Sequence, residues 1–139
     1  MASNAALDIR FKSDVQQIER VVAQVVHRCR EHRFDGRQLS LNVPVALTEA
    51  LSNAILRGNG DDAGKEVRVR AEVSELRLVV EVVDEGEGFD LEPCTTDPTS
   101  PENLAREDGR GLFLMRSLMD RVEAFRGDGN VVRLTLHRR

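Results

Sequence analysis

The sequence predicts an α+β fold, a two-layer sandwich in which a largely antiparallel sheet carries helices on one face. Three observations predict it. Five segments alternate apolar and polar residues, the period of a half-buried strand. Other segments place apolar residues at steps of three and four, the stripe of an amphipathic helix. Most successive strands are joined by tight turns, which suit antiparallel neighbours and are too short for a parallel crossover. A chain of 139 residues suits one domain, with no internal repeat.

In the first strand Leu7, Ile9 and Phe11 alternate with Asp8, Arg10 and Lys12. Ser13-Asp14 then offers a helix cap. Val15, Ile18, Val22, Val25, Val26 and Cys29 mark a first helix ending near Phe34-Asp35-Gly36. Asn42 before Pro44 reads as the cap of a second helix that runs to Arg57, with Leu47, Ala50, Leu51, Ala54 and Ile55 as its apolar stripe. Gly58-Asn59-Gly60 stops it. Val67, Val69, Ala71 and Val73 form one face of a strand whose other face, with Arg68, Arg70 and Glu72, is solvated. After a turn at Ser74-Glu75, Leu76, Leu78, Val80 and Val82 share a face of the next strand. No periodicity survives from 85 to 110, and a loop of that length in a small domain is usually functional or mobile. Leu112, Met115 and Met119 mark a short helix. Val122 and Ala124, a Gly127-Asp128-Gly129 turn, and Val132, Leu134 and Leu136 complete the sheet.

Composition narrows the function. Lys and Arg total 20 against 24 Asp and Glu, a net charge of −4, and Trp and Tyr are absent. Nucleic-acid binding wants a basic footprint and stacking aromatics, so direct nucleic-acid binding is not expected. Two cysteines, Cys29 and Cys94, make no disulfide framework. With no secretory signal and no bilayer-spanning run, the expected compartment is the cytoplasm, without a membrane.

Three features carry possible chemistry. Glu49, Asn53 and Arg57 stand at i, i+4 and i+8 on one helix face. A carboxamide oxygen suits Mg²⁺, and a carboxylate one turn away can orient or deprotonate a hydroxyl. On spacing alone, a solvated polar face is the commoner reading. Asp84 continues the inward parity of Leu78, Val80 and Val82, so it points to the interior and needs a donor, such as the amino group of adenine. Gly86 and Gly88 follow, where backbone can approach a ligand closely; the plain alternative is a strand-ending turn. Gly109-Arg110-Gly111, opening a helix, offers N–H groups suited to phosphate, or is simply an entry turn. A P-loop is absent, and His27, Cys29 and His32 are poorly spaced for zinc.

In order, these features resemble a known superfamily. Leu47-Thr48-Glu49-Ala50-Leu51-Ser52-Asn53-Ala54-Ile55 is similar to the N box of the GHKL, or Bergerat-fold, ATPases. Asp84-Glu85-Gly86-Glu87-Gly88-Phe89 resembles their first glycine box, and Gly109-Arg110-Gly111-Leu112-Phe113-Leu114-Met115 their second. The compact length and the run on to Asp120 look like the anti-sigma-factor serine/threonine kinase branch.

The resemblance implies a mixed, mostly antiparallel sheet and an ATP site. Asn53 would bind Mg²⁺ and Glu49 would be the catalytic base. Asp84 would hold the adenine amino group, with Gly86 and Gly88 lining the purine pocket. Gly109, Arg110, Gly111, Leu112 and Phe113 would lie at the nucleotide, and residues of about 90–108 would form the ATP lid. It further implies phosphorylation of a Ser or Thr on a STAS-type anti-sigma-factor antagonist, binding of a sigma factor, and a homodimer using the first strand and helix. An ATP-binding partner-switching module without turnover is the alternative. Two positions depart from the family pattern: Arg57 stands where His is frequent, and Asn130 follows Gly129 where Thr is frequent.

Overall fold

A computed structural model describes residues 5–60, 62–86, 107–127 and 129–139. Five strands form one sheet: β1 (Ala5–Lys12), β2 (Glu66–Val73), β3 (Arg77–Asp84), β4 (Arg121–Arg126) and β5 (Asn130–His137). Their order is β1-β2-β3-β5-β4, and every pairing among the described residues is antiparallel. Helices α1 (Ile18–Glu31), α2 (Val43–Asn53) and α3 (Glu107–Leu118) supply the second layer. The α+β expectation and the order of elements both hold.

Alternation fixes which face of the sheet is covered. Val67, Val69, Ala71 and Val73 of β2 are buried, as are Leu78, Val80 and Val82 of β3 and Val132, Leu134 and Leu136 of β5. They meet Val21, Val22, Val25 and Cys29 of α1, the α2 stripe from Val43 to Leu51, and Leu112 and Met115 of α3. Burial pushes the Cys29 thiol up to about 12, which suits an inert core residue. On the opposite face the charges pair across strands. Arg68 Nη2 lies 2.6 Å from Asp8 Oδ2 and holds that carboxyl below its usual range. Glu81 receives Arg70 at 3.1 Å and Arg133 at 2.8 Å.

Four sequence expectations shift. Val15 is 46% exposed, because a 3-10 turn over Val15–Gln17 precedes α1 and turns it off the stripe. Asp14 does cap that turn, accepting from Gln16 N–H at 2.9 Å. Asn42 does not cap α2. The helical course begins earlier, with a π turn over Gln38–Asn42, and Asn42 Nδ2 donates instead to Leu118 O at 2.7 Å, joining α2 to the end of α3. The cap is a reciprocal pair: Gln38 N–H donates to Asp35 Oδ1 at 2.7 Å and Asp35 N–H to Gln38 Oε1 at 3.3 Å. Leu76 lies in the β2–β3 turn and not on the strand face, closed by Ser74 N–H donating to Arg77 O at 2.9 Å. Finally, Gly109–Gly111 fall within the first turns of α3, which begins at Glu107, and not before the helix.

Leu51 has no exposed surface, whereas Leu76 is 79% exposed. Leu51→Ala should therefore cost about 2–5 kcal/mol, and Leu76→Ala should stay within about 0.5 kcal/mol of wild type. Urea unfolding of both variants checks the register.

Candidate functional site

α2 does not stop at Asn53. It continues through a second π turn, Ala54–Gly58, closed by Asn59 N–H donating to Ala54 O at 2.8 Å. Such turns are rare and often accompany functional sites. This one delivers Gly58 onto the end of β3. A Cβ on Gly58 would strike the Asp84 carboxylate, and one on Gly86 would strike the Gly58 carbonyl oxygen. On the other side, a Cβ on Gly129 would meet the Asp84 carbonyl oxygen. Three glycines therefore pack around one aspartate, with backbone where side chains would otherwise stand.

Asp84 is 7% exposed, as its strand parity predicts. Gly86 N–H donates to Asp84 Oδ1 at 2.8 Å, and Asn130 Nδ2 donates to the same oxygen at 2.9 Å. Asp84 Oδ2 takes no donor among the described residues. It is the open acceptor of a nearly buried carboxylate, and such an atom calls for a partner.

Asn59 holds this corner together. It is 2% exposed, its Nδ2 donates to Glu66 O at 3.0 Å, and its Oδ1 accepts Glu85 N–H at 2.8 Å. One carboxamide thus ties the end of α2 to the start of β2 and the end of β3. Sequence reasoning read Gly58-Asn59-Gly60 only as a helix stop and missed both Gly58 and Asn59. The available signal was an Asn placed between the helix end and a polar turn, where it can serve two backbones at once.

The second cluster lies about one and a half to two and a half turns back along α2. Glu49 and Asn53 are part-exposed, and neither side chain has a hydrogen-bond partner among the described residues. Gly111 of α3 packs directly against them: a Cβ there would lie 2.9 Å from Glu49 Oε2 and 3.4 Å from Asn53 Nδ2. The fold therefore joins the Glu49–Asn53 pair to Gly111, motifs far apart in sequence. From Glu49 to Gly58 the helix rises roughly 13 Å, so the two clusters mark the ends of an elongated site.

The other predicted residues divide. Leu112 is buried in the core and Phe113 is half-exposed on α3. Arg57 is exposed in the closing π turn. Of Gly109 and Arg110 only the helical backbone course is described, and an α-helix leaves its first four N–H groups without an intrahelical acceptor. Gly88, Cys94 and the lid stretch 90–106 lie outside the described residues. Among the described residues no cluster of three His, Cys, Asp or Glu could hold a metal by itself.

Asn59→Ala would leave Glu66 O and Glu85 N–H without their partner. The expected cost is about 1–3 kcal/mol, read by urea unfolding, with faster amide exchange at Glu85 as the local sign.

Comparison with known proteins shows the family. A family model described as a histidine kinase-like ATPase domain matches residues 11–136. The serine-protein kinase RsbW of Bacillus subtilis is 36% identical over 99 residues, covering 68% of this chain and 62% of that protein. The anti-sigma F factor of a Thermoanaerobacter species is 31% identical over 97 residues, covering 68% and 67%. The chain thus spans a little over six-tenths of the RsbW relative's length. Among solved structures, the RsbU and RsbW domains of Rv1364c from Mycobacterium tuberculosis match at a TM-score of 0.64 and 19% identity, over 97% of this chain and 32% of that one, a likeness of fold. Matched over nearly its whole length, the chain belongs to the histidine kinase-like ATPase domain family, in the anti-sigma-factor kinase branch of the GHKL superfamily.

Proposed function

We propose that this protein binds Mg·ATP and transfers the γ-phosphoryl group to a Ser or Thr of a STAS-type anti-sigma-factor antagonist, and that it also binds and inhibits a sigma factor. The observation that carries the ATP reading is the pairing of an open carboxylate oxygen on Asp84 with the Glu49–Asn53–Gly111 cluster at the other end of α2. An elongated ligand with an amino-bearing base at one end and phosphates at the other fits that layout. The kinase and anti-sigma relatives support the choice of reaction and partners. A cytoplasmic homodimer is part of the same reading.

Each residue then has a task. Asp84 Oδ2 accepts an N–H from the base. Asn53 offers a hard carboxamide oxygen, without a partner among the described residues, in keeping with the way Mg²⁺ takes few protein ligands beside phosphate and water. Bound there, the ion would neutralise charge on the phosphates. The first N–H groups of α3, which lack intrahelical acceptors, would serve the same charge, and the missing side chain at Gly111 leaves room for it beside Asn53. Glu49 orients the acceptor hydroxyl and takes its proton.

Glu49→Gln should abolish phosphate transfer to the antagonist, measured with labelled ATP, while ATP affinity by calorimetry stays within about threefold of wild type. Equal transfer by both proteins would remove Glu49 from the reaction. Mg·ATP binding by wild type without any transfer would instead favour the partner-switching module. Asp84→Asn should weaken ATP about tenfold to a hundredfold, the worth of one hydrogen bond to a charged group.

A further inference from the structure

Asn130 opens β5 directly across from Asp84 in the β3–β5 register. Its carboxamide has only one workable orientation. Oδ1 accepts from Arg126 Nη1 at 3.0 Å, while Nδ2 donates to Asp84 Oδ1 at 2.9 Å and also to Gly86 O. A guanidinium can only donate and an ionised carboxylate can only accept. Flipping the amide would set donor against donor at Arg126 and acceptor against acceptor at Asp84 and Gly86, so these groups together fix which way Asn130 points. Arg126 Nη1 also donates to Gly86 O at 3.3 Å, closing the group into a ring.

The effect falls on Asp84. Two donors converge on Oδ1, from Gly86 N–H and from Asn130. Both resist its rotation. Oδ2 is left without a protein donor among the described residues, in the space that Gly58 leaves by lacking a side chain. Asp84 therefore presents a single oxygen in a fixed direction, and that oxygen only accepts.

We propose that Asn130, oriented by Arg126, is a positioning residue that makes the base site select 6-aminopurine nucleotides over 6-oxopurine nucleotides. The proposal rests on the nucleotide reading above. A 6-amino edge brings an N–H to Oδ2. A 6-oxo edge turns a carbonyl oxygen to it, which is tolerated only if the carboxyl can rotate away. The ring of Asn130, Arg126 and Gly86 denies Asp84 that rotation.

The test measures ATP and ITP affinity by calorimetry for wild type, Asn130→Asp and Arg126→Ala. ITP differs from ATP in the base by carrying a 6-oxo group in place of the 6-amino group, with the attendant N1–H. Wild type should prefer ATP by about tenfold or more. Asn130→Asp keeps the side-chain shape but replaces the donor with an acceptor that repels Asp84 Oδ1, so the carboxyl is no longer held in one direction. Its ATP-to-ITP ratio should fall to within about threefold of unity, mainly through weaker ATP binding. Arg126 is exposed, and its removal takes away the one donor on Asn130 Oδ1 while Asp84 and Gly86 still hold Nδ2, so the amide is anchored on one side only and Arg126→Ala should lower the ratio at least about twofold. A purely structural role for Asn130 would weaken both nucleotides alike and keep the ratio. A wild-type ratio maintained in Asn130→Asp overturns the proposal, and if that variant does not fold, an unchanged ratio in Arg126→Ala does so. Absence of ATP binding by wild type is a separate result, and it removes the nucleotide reading together with the proposal.

Discussion

The close approach of Gly58 to the Asp84 carboxylate is the constraint on which the rest of the site depends. Only glycine lets the end of α2 rest on the end of β3, because any side chain would occupy the space of the carboxylate itself. The second π turn brings Gly58 to that point, and Asn59 fastens it there by serving two strands with one carboxamide. The apolar stripe of α2 meanwhile lies against the sheet with Ala46, Leu47, Ala50, Leu51 and Ile55 buried. Sheet packing and the glycine contact thus fix both the direction of the helix and its advance along its own axis. Glu49 and Asn53 are carried to their places as a consequence.

The same arrangement explains how a buried carboxylate is tolerated. An ionised group removed from water must recover its lost hydrogen bonds. Among the described residues Asp84 recovers them on one oxygen, through Gly86 and Asn130. The other oxygen keeps its capacity for a ligand. The charges of the opposite sheet face present a contrast. Asp8, Arg68, Arg70, Glu81 and Arg133 pair with one another across strands, partly in solvent, where single pairs add little to stability. Charge there is balanced within the protein, while at Asp84 and at the Glu49–Asn53 pair it is left open.

Much of this was legible in the sequence. Period-two alternation assigned the inner faces of β2, β3 and β5, and parity alone sent Asp84 inward. The three-and-four spacing found the α2 stripe residue by residue. The ordered motifs around Glu49, Asp84 and Gly111 gave the family. Local rules failed where a tertiary partner outbid them. Asn42 has the type and place of a cap, yet its amide goes to the carbonyl of Leu118, far along the chain. Leu76 continues the parity of its strand, but the turn claims it. Gly58, Asn59 and Asn130 gave no periodic signal, because their roles exist only once β3, β5 and the end of α2 are side by side.

The central claim is that a nucleotide base docks on Asp84 within the ring of Gly58, Gly86, Gly129 and Asn130. Amide chemical-shift mapping during titration with Mg·ATP tests it most directly. The account predicts that the backbone amides of Gly58, Gly86 and Gly129 and the side-chain amide of Asn130 shift together, along with Asn53 and Gly111. Shifts confined to the charged sheet face around Arg70, Glu81 and Arg133, with the Asp84 ring unmoved, would contradict it.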